Sequence, residues 1–276
     1  MRVKLINRIF IYIVISIFLL FALFPIMWII STSFKNPTEA VSIPPTWIPE
    51  RITFNNYVRI WGMQPMLRFF LNSLIVSIST IIVSVLAGAL TAYGISRFRL
   101  KYKNIILTII LLTQMVPGVL LIVPYFILMK NFHLLNTYLS LIIAYTSFTL
   151  PVVTWILMGF FETIPRALDE AALIDGCSRI SVFFRIILPL STPALVSTMI
   201  FTFIVSWTEY LFPLVLISKR EMLLMTTGIA SFIGQFRISW GELMAAGVVS
   251  ILPILIIFSF LDKYLIEGLT RGSVKG

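Results

Sequence analysis

The sequence contains few charged residues for its length. Asp, Glu, Lys and Arg make up 12% of its 276 residues, whereas soluble domains carry about 25%. Hydrophobic residues make up 59%, and the mean hydropathy is +1.02. A soluble protein of this size has no core large enough for so much apolar side chain. The composition therefore excludes a soluble globular enzyme and predicts an integral membrane protein.

Cysteine and histidine are almost absent as well. The single cysteine, Cys177, excludes a disulfide within the chain, and the single histidine, His133, excludes a cluster of His and Cys metal ligands. The dipeptide Gly-Lys does not occur, so the sequence has no phosphate-binding loop of the GxxxxGK[ST] type. If ATP drives this protein, another subunit must bind the nucleotide.

What the sequence does contain is a series of long apolar runs. About 20 apolar residues cross the hydrocarbon core of a bilayer, and six runs have that length: 9–30, 71–94, 105–127, 137–160, 192–217 and 243–261. The first run is too long for the hydrophobic region of a signal peptide, and no A-x-A cleavage site follows it. The sequence therefore predicts an all-α membrane protein with six transmembrane helices in a single domain, 1–276.

Lys and Arg are distributed unevenly between the two sides that six spans would create. The chain has 21 of them against 11 Asp and Glu, a net charge of +10. Thirteen of the 21 lie in the two termini and in the segments 95–104 and 161–191. Because basic segments stay in the cytoplasm, both termini are predicted to be cytoplasmic. Topology and anionic lipid explain the positive charge without nucleic acid as a partner.

The second run carries a stripe of small residues. Thr80, Ser84, Gly88 and Ala92 lie four residues apart and share one helix face. Such a face predicts a close helix–helix contact, either within the chain or with a partner. Prolines within or at the edges of the runs also predict broken helices, which are common in transporters.

The segment 161–191 differs from the other segments on its side, because acids outnumber bases in it by four to three. Thr163 and Pro165 predict the start of a short helix, and Gly176 predicts its end in the left-handed conformation. Ser178 is predicted to cap a second helix, which ends at the next proline. The segment is therefore predicted to fold as two short helices.

The first of these helices offers a small, flat surface. Ala171, Ala172 and Ile174 lie beside the carboxylates of Glu170 and Asp175. Small residues let the backbone of another protein come close, and carboxylates pair with its arginines. The alternative is an amphipathic helix lying on the bilayer, but interfacial helices carry Lys and Arg on their polar face. The acids therefore favour a helix that docks on another protein.

This loop resembles the EAA loop of ABC importer permeases. The shared pattern is Glu170-Ala171-Ala172, then Gly176 after three residues, then Ile186-x-Leu188-Pro189 after nine more. Over nearly its whole length the chain is similar to the carbohydrate branch of that family, which includes the smaller permease of the maltose importer. The other stretches that carry the similarity are Phe70–Ser73, Ala92–Phe98, Trp207–Phe212 and Glu267–Gly276.

The resemblance implies a permease subunit that imports a sugar, a di- or oligosaccharide, by alternating access across the cytoplasmic membrane of a prokaryote. It implies four kinds of partner: a second permease subunit, two ATPase subunits, an extracytoplasmic solute-binding protein and the sugar itself. ATP and Mg²⁺ would be bound by the ATPase subunits, so this chain would hold no cofactor or metal and no catalytic residues.

The resemblance also assigns contacts to particular residues. Coupling to the ATPase would involve Glu170, Ala171, Ala172, Ile174, Asp175, Gly176, Ile186, Leu188 and Pro189. The C-terminal tail would also reach the ATPase, through Gly272, Ser273, Val274, Lys275 and Gly276. The solute-binding protein would be contacted by Thr227, Gly228 and Phe232.

Polar residues within the runs are candidates for the transport pathway, because polar groups at membrane depth are costly and usually functional. Gln114 is interpreted as a ligand for sugar hydroxyls or as an interhelical hydrogen-bonding group. Glu209 is interpreted as a sugar-binding, vestibule or subunit-contact residue. Trp207 and Tyr210 offer aromatic faces to a sugar ring, with the interfacial aromatic belt as the alternative.

Other functions stay open at this point. The same architecture could carry a polyol or a glycerol phosphate. A stand-alone secondary transporter or channel would need no ATPase, but the docking loop would then have no partner. A membrane enzyme is disfavoured by the single histidine, the single cysteine and the scarcity of carboxylates at membrane depth.

Overall fold

The computed structural model describes residues 2–63, 65–234 and 238–271. Over these residues the chain is helical, without β-strands, and its one isolated bridge joins Ile233 and Ile238. The helices are α1 (Arg2–Ser33), α2 (Asn55–Met63), α3 (Met66–Arg97), α4 (Lys103–Thr113), α5 (Gly118–Asn131), α6 (Tyr138–Thr163), α7 (Arg166–Ile174), α8 (Arg179–Val182), α9 (Leu188–Leu190), α10 (Thr192–Thr208), α11 (Leu211–Leu216), α12 (Met225–Ala230) and α13 (Trp240–Arg271). A π-helical segment, Phe183–Ile187, joins α8 to α9. The prediction of an all-α fold is confirmed.

Four of the described helices are long and apolar enough to cross a membrane. They are Asn7–Ser33, Met66–Arg97, Tyr138–Thr163 and Trp240–Phe260. Two further pairs of helices pass the same test only together, because each pair is bent, α4 with α5 by 91° and Arg179–Leu190 with α10 by 79°. The described part of the chain therefore has four such helices, or up to six if each bent pair forms one span.

Prolines explain where two predicted runs are interrupted. A proline has no N–H to donate to the carbonyl four residues earlier, and its ring clashes with that carbonyl. Helix α4 ends at Thr113, four residues before Pro117, and α10 ends just before Glu209, four residues before Pro213. The runs 105–127 and 192–217 are therefore interrupted helices, and the prolines in them had predicted such breaks.

The chain divides into two compact units. The first comprises Met1–Leu67 and Gly228–Leu252, and the second comprises Arg68–Thr227 and Pro253–Gly276. In the first unit, the apolar window of α1 has none of its residues buried within the chain. A helix that is apolar all round and uncovered by its own chain requires lipid or a partner subunit around it.

The first unit also buries a charged side chain. Lys35 is 1% exposed, its Nζ donates to the carbonyl of Thr46, and it lies 4.3 Å from the ring centroid of Trp28. The amide of Asn56 donates to the carbonyls of Ser33 and Lys35, both at 2.8 Å. These contacts fold the segment after α1 back on itself, so the lysine stem is buried while its charge has an oxygen and a ring as partners.

In the second unit, the small-residue stripe of α3 packs against α6. Thr80, Ser84 and Ala92 are fully buried, and the hydroxyls of Ser84 and Thr149 are 2.7 Å apart. A Cβ atom added at Gly88 would lie 2.6 Å from Cγ1 of Val153. The predicted close contact is therefore confirmed, and it lies within the chain.

Candidate coupling loop and pathway residues

Helix α7 ends as its sequence predicts. Gly176 has a φ of +84°, its N–H donates to the carbonyl of Leu173 at 3.1 Å, and the N–H of Cys177 donates to the carbonyl of Ala172 at 2.9 Å. These two bonds form a Schellman motif, which requires a left-handed residue at the position of Gly176. The predicted left-handed stop at Gly176 is therefore confirmed.

The start of α7 differs from the prediction in one respect. Thr163 is the last residue of α6, and its hydroxyl donates to the carbonyl of Phe160 at 2.7 Å, so it does not cap α7. The N-cap position is held by Pro165, without a side-chain hydrogen bond. The cap at Ser178 is confirmed, because its hydroxyl accepts from the N–H of Ser181 at 3.2 Å. The helix after it continues through the π segment and past Pro189 to Leu190.

The predicted docking surface of α7 needs one correction. Glu170 and Ala171 are exposed, and Ile174 is 86% exposed, a large apolar side chain that the chain itself leaves uncovered. Ala172, in contrast, is 7% exposed and packs in the core of the second unit with residues that include Val182. Ala172 therefore holds α7 onto its own chain, and the prediction that it lies on the docking surface is wrong.

The remaining predicted coupling residues divide between surface and core. Asp175 and Gly176 are exposed. Ile186 and Leu188 are partly buried against the core of the second unit, and Pro189 is exposed. The Ile-x-Leu-Pro part of the motif therefore anchors the loop more than it forms a surface.

An ion pair links this loop to the end of α3. Nε of Arg97 lies 2.8 Å from Oδ2 of Asp169, and the exposed fractions of the two side chains are 4% and 14%. The contact is an ion pair without hydrogen-bond alignment, because Nε of Arg97 and Oδ1 of Asp169 have no hydrogen-bond partner. Burial raises the pKa of the Asp169 carboxyl above its ordinary value, although Arg97 and Arg166 lower it.

Sequence reasoning missed this pair for a simple reason. Arg97 and Asp169 lie in different elements, so no helical or strand spacing connects them. The available signals were indirect: Arg97 belongs to the basic cluster after the second span, and Asp169 is one of the acids in a loop on the same predicted side. Together these signals predict opposite charges on one side of the membrane without saying which charges meet.

Glu209 lies at the break between α10 and α11. Its Oε1 accepts from the N–H groups of Leu211 at 2.9 Å and Phe212 at 3.3 Å, and its carbonyl accepts from the hydroxyl of Thr226 at 2.8 Å. The carboxylate therefore satisfies N–H groups at the start of α11. The backbone carbonyl of Glu209 has no helical donor, because Pro213 lacks an N–H, and the Thr226 hydroxyl donates to it from another segment. Glu209 is partly exposed and Tyr210 is 38% exposed.

Trp207 and Gln114 have different surroundings. Trp207 is 3% exposed, and its ring lies 5.3 Å from the ring of Phe203 and 5.5 Å from that of Phe70, centroid to centroid. It therefore packs within the second unit in this conformation and offers no face to a sugar. Gln114 is exposed at the break between α4 and α5, and its Nε2 donates to the carbonyl of Phe148 at 3.4 Å. This long contact is the interhelical alternative considered for Gln114.

The segment before α12 is held by the first turns of α3. The Asn72 amide donates to the carbonyls of Glu221 and Leu223, both at 2.9 Å. The Ser73 hydroxyl accepts from the N–H of Met225 at 2.8 Å. An asparagine at the start of an apolar run is the sequence signal for such a role, but no role was predicted for Asn72.

The three residues predicted to contact a binding protein are all buried. Thr227 and Phe232 are each 6% exposed, and Gly228 is also buried. The Thr227 hydroxyl accepts from the N–H of Leu224 at 3.1 Å. In this conformation their side chains support the local fold, and neighbours such as Ile233, which is 53% exposed, form the surface. The predicted tail contacts, Gly272 to Gly276, lie outside the described residues.

The chain is similar to proteins of one family. Residues 84–271 match the family described as "Binding-protein-dependent transport system inner membrane component". The chain is 38% identical over 265 residues to the sulfoquinovosyl glycerol transport system permease protein SmoH of Agrobacterium fabrum, covering 96% of this chain and 93% of the relative. It is 36% identical over 280 residues to the trehalose/maltose transport system permease protein MalG of Thermococcus litoralis, covering both chains completely.

The fold is also that of a solved transporter. A chain from the crystal structure of a bacterial ABC transporter involved in the import of the acidic polysaccharide alginate superposes with a TM-score of 0.81. The superposition covers 96% of this chain and 98% of the other, at 22% identity. From its sequence and its fold, this chain belongs to the family of binding-protein-dependent transport system inner membrane components, the permeases of ABC importers.

Proposed function

We propose that this chain is one of two permease subunits of an ATP-driven importer, and that it works as one permease domain with six spans and both termini in the cytoplasm. The four long apolar helices and the two bent pairs support six crossings, if each bent pair is a broken span. The excess of Lys and Arg in segments on the side of the N-terminus supports the orientation. The localisation that follows is the cytoplasmic membrane of a prokaryote.

The exposed end of α7 is the observation that carries the proposed coupling to an ATPase. Ile174 is 86% exposed beside the exposed acids Glu170 and Asp175. A large exposed apolar side chain can anchor a contact with another protein, and carboxylates at its rim favour a partner with basic groups. The Schellman motif at Gly176 and the buried Ala172 fix this end in place. A preformed tip of this kind suits insertion into a cleft of another protein.

The transport cycle then requires no catalytic residue in this chain. ATP and Mg²⁺ bind to the two ATPase subunits, whose closure draws the two docking loops of the permease pair together. The spans respond by rigid-body rocking, which exposes the pathway to opposite sides in turn. A solute-binding protein supplies the solute from outside, as the description of the family indicates.

We propose a sugar of disaccharide size as the solute. The two relatives described above carry names that specify trehalose or maltose, and sulfoquinovosyl glycerol. Both names describe glycosides of two units. The name of the Agrobacterium fabrum relative also favours an alternative to a plain disaccharide: a solute in which a sugar is joined to a polyol and carries an anionic group. Gln114, Glu209 and Tyr210 remain the pathway candidates with accessible polar or aromatic groups.

The docking proposal is tested by placing a charge on the tip of α7. Ile174→Arg puts a large cation where the proposal places an apolar contact. Because position 174 is 86% exposed, the fold of this chain has room for the new side chain. If the tip is a hot spot worth about 2 kcal/mol, affinity for the ATPase falls roughly thirtyfold. The measurement is the amount of ATPase that co-purifies with the tagged permease, at equal membrane abundance.

Ile52→Arg is the matched control, because Ile52 is also exposed, at 69%, but lies in the segment between α1 and α2. This variant is expected to retain the ATPase. Full retention of the ATPase by Ile174→Arg, together with normal solute uptake, would contradict the docking assignment.

A further inference from the structure

The loop that carries α7 is attached to the end of α3 by side chains from both sides. Besides the ion pair with Asp169, Nη2 of Arg97 donates to the carbonyl of Ile164 at 3.1 Å. In the opposite direction, Nη2 of Arg166 donates to the carbonyl of Ser96 at 3.0 Å. Both carbonyls lie next to a helix end, where backbone acceptors lack helical partners. The two arginines therefore tie each element to the other's backbone.

A third side chain extends this attachment to the segment after α7. The hydroxyl of Tyr93 donates to the carbonyl of Arg179 at 3.2 Å, and its ring lies 5.0 Å from that of Phe183. Tyr93 is 8% exposed and lies one turn before Arg97 on α3. The last turns of α3 thus contact the chain before, within and after α7.

Helix α7 needs such an attachment. It has nine residues, and isolated helices of that length are marginal in water. It is joined to its neighbours by short non-helical connections on both sides, one of them at Pro165. Without side-chain contacts to a long helix, a force applied at Ile174 would rotate or unwind α7 and would not move a span.

A second ion pair nearby provides the contrast. Lys103 and Glu162 also join the start of α4 to the end of α6, but their side chains are 30% and 39% exposed. Exposed pairs contribute little and tolerate substitution. Removing one partner of a buried pair leaves a charge without compensation and displaces it. Of the two pairs, only Arg97–Asp169 is sufficiently buried to fix the relative position of two elements.

We propose that Arg97 and Asp169 are positioning residues for energy coupling: they join α7 to the end of α3 so that the docking helix and this span move as one rigid body. This inference rests on the proposed function, because it assumes that the ATPase acts on α7. It goes further by assigning the span that receives the movement and the side chains that transmit it. The buried ion pair serves here to specify geometry, a role that buried polar groups have in other systems.

The test is a measurement of the distance between α3 and α7. Thr91 on α3 and Leu168 on α7 are exposed, so each can be replaced by cysteine and spin-labelled in a background in which Cys177 is changed to Ser. The distance distribution is recorded for the complete transporter in lipid nanodiscs, without nucleotide and with Mg·ATP. In otherwise unchanged protein the distribution is expected to stay narrow and at the same distance in both states.

Asp169→Asn removes the charge and keeps the shape of the side chain. We expect the distance distribution to broaden or shift when Mg·ATP is added, because α7 can then move relative to α3. Glu162→Gln is the matched control in the exposed pair and is expected to leave the distribution unchanged. Asp169→Glu, which restores the charge, is expected to narrow it again. If Asp169→Asn does not accumulate in the membrane, Arg97→Lys, which keeps the charge but loses the forked guanidinium, is expected to broaden it as well.

Two results would overturn the inference. The first is a distance distribution in Asp169→Asn that stays as narrow as in the wild-type protein, and the second is a wild-type distribution that broadens when Mg·ATP is added. A lower melting temperature of Asp169→Asn with an unchanged distribution would show a structural role alone. Failure of the proposed function gives a different result: the ATPase would be absent from the purified transporter, whatever the distance distribution.

Discussion

Asp169 is the residue in which burial and charge oppose each other most directly. In the folded protein burial raises its pKa from the ordinary value of 3.8, and the lowering effects of Arg97 and Arg166 do not cancel this. In the unfolded chain the carboxyl has its ordinary pKa. Between these two values the folded state binds more protons than the unfolded state, so the stability that Asp169 contributes is greatest below pH 3.8 and decreases as the pH rises.

A pH series measures this contribution. Asp169→Asn has no titrating group at position 169, so the stability difference between unchanged protein and variant should shift in favour of unchanged protein as the pH falls from about 7 to about 4. The measurement is the thermal midpoint of both proteins in one detergent. A difference that does not depend on pH would contradict the burial of this carboxyl.

Single residues also mark the limit of sequence reasoning about the docking surface. The pattern Glu170-Ala171-Ala172 identifies the loop, but it does not say which alanine faces the protein. The burial of Ala172 is decided by packing against residues such as Val182, which lie in a different helix. The Schellman motif at Gly176 was predictable, in contrast, because its bonds lie within six consecutive residues.

At the scale of elements, the contact between α3 and α6 depends on the absence of a side chain at Gly88. Gly88→Ala would place Cβ 2.6 Å from Cγ1 of Val153, and we expect it to lower the free energy of unfolding by about 1–3 kcal/mol, as overpacking does. Gly94→Ala on the same helix has no atom within 4 Å of the new Cβ, and it should raise that free energy by about 0.5–1 kcal/mol. Thermal midpoints in detergent measure both, and equal effects would contradict the close contact.

The end of α7 allows a second comparison of glycines. At Gly176 the φ of +84° disfavours any L side chain, so Gly176→Ala is expected to destabilise the turn by about 1 kcal/mol and to weaken ATPase retention. Gly159→Ala, within α6 and with open space around its Cβ, should have neither effect. The measurement is again the ATPase that co-purifies, at equal abundance. Unchanged retention by Gly176→Ala would show that the left-handed turn does not set the docking geometry.

The helices themselves were largely predictable, and prolines predicted that some are broken, but the sequence did not show which prolines end a helix. Long apolar runs predict α3 and α6 because their length and composition suffice. Pro117 and Pro213 were visible in the sequence, yet a proline in a membrane helix can bend it, break it or be accommodated. The break at Glu209 also depends on Thr226, which satisfies the carbonyl that Pro213 leaves free. Such a partner is supplied by tertiary structure and not by local sequence.

At the scale of the whole molecule, what the chain leaves uncovered is as informative as what it buries. Helix α1 has an apolar window with no buried residue, and the tip of α7 exposes Ile174. Lipid or the proposed second permease would cover the first surface, and the proposed ATPase would cover the second. Composition predicted a membrane span at α1, and the loop motif predicted a docking surface on α7. The sequence did not show that α1 is left uncovered by its own chain.

The central claim, that this chain is driven by a separate ATPase, is tested most directly by its partners in the native membrane. The wild-type chain, carrying an affinity tag, is cross-linked in native membranes and purified in mild detergent, and the proteins that accompany it are identified. The account predicts an ATPase subunit and a second permease, in a complex that hydrolyses Mg·ATP. If the chain is recovered without an ATPase even after cross-linking, the account is contradicted and a stand-alone transporter takes its place.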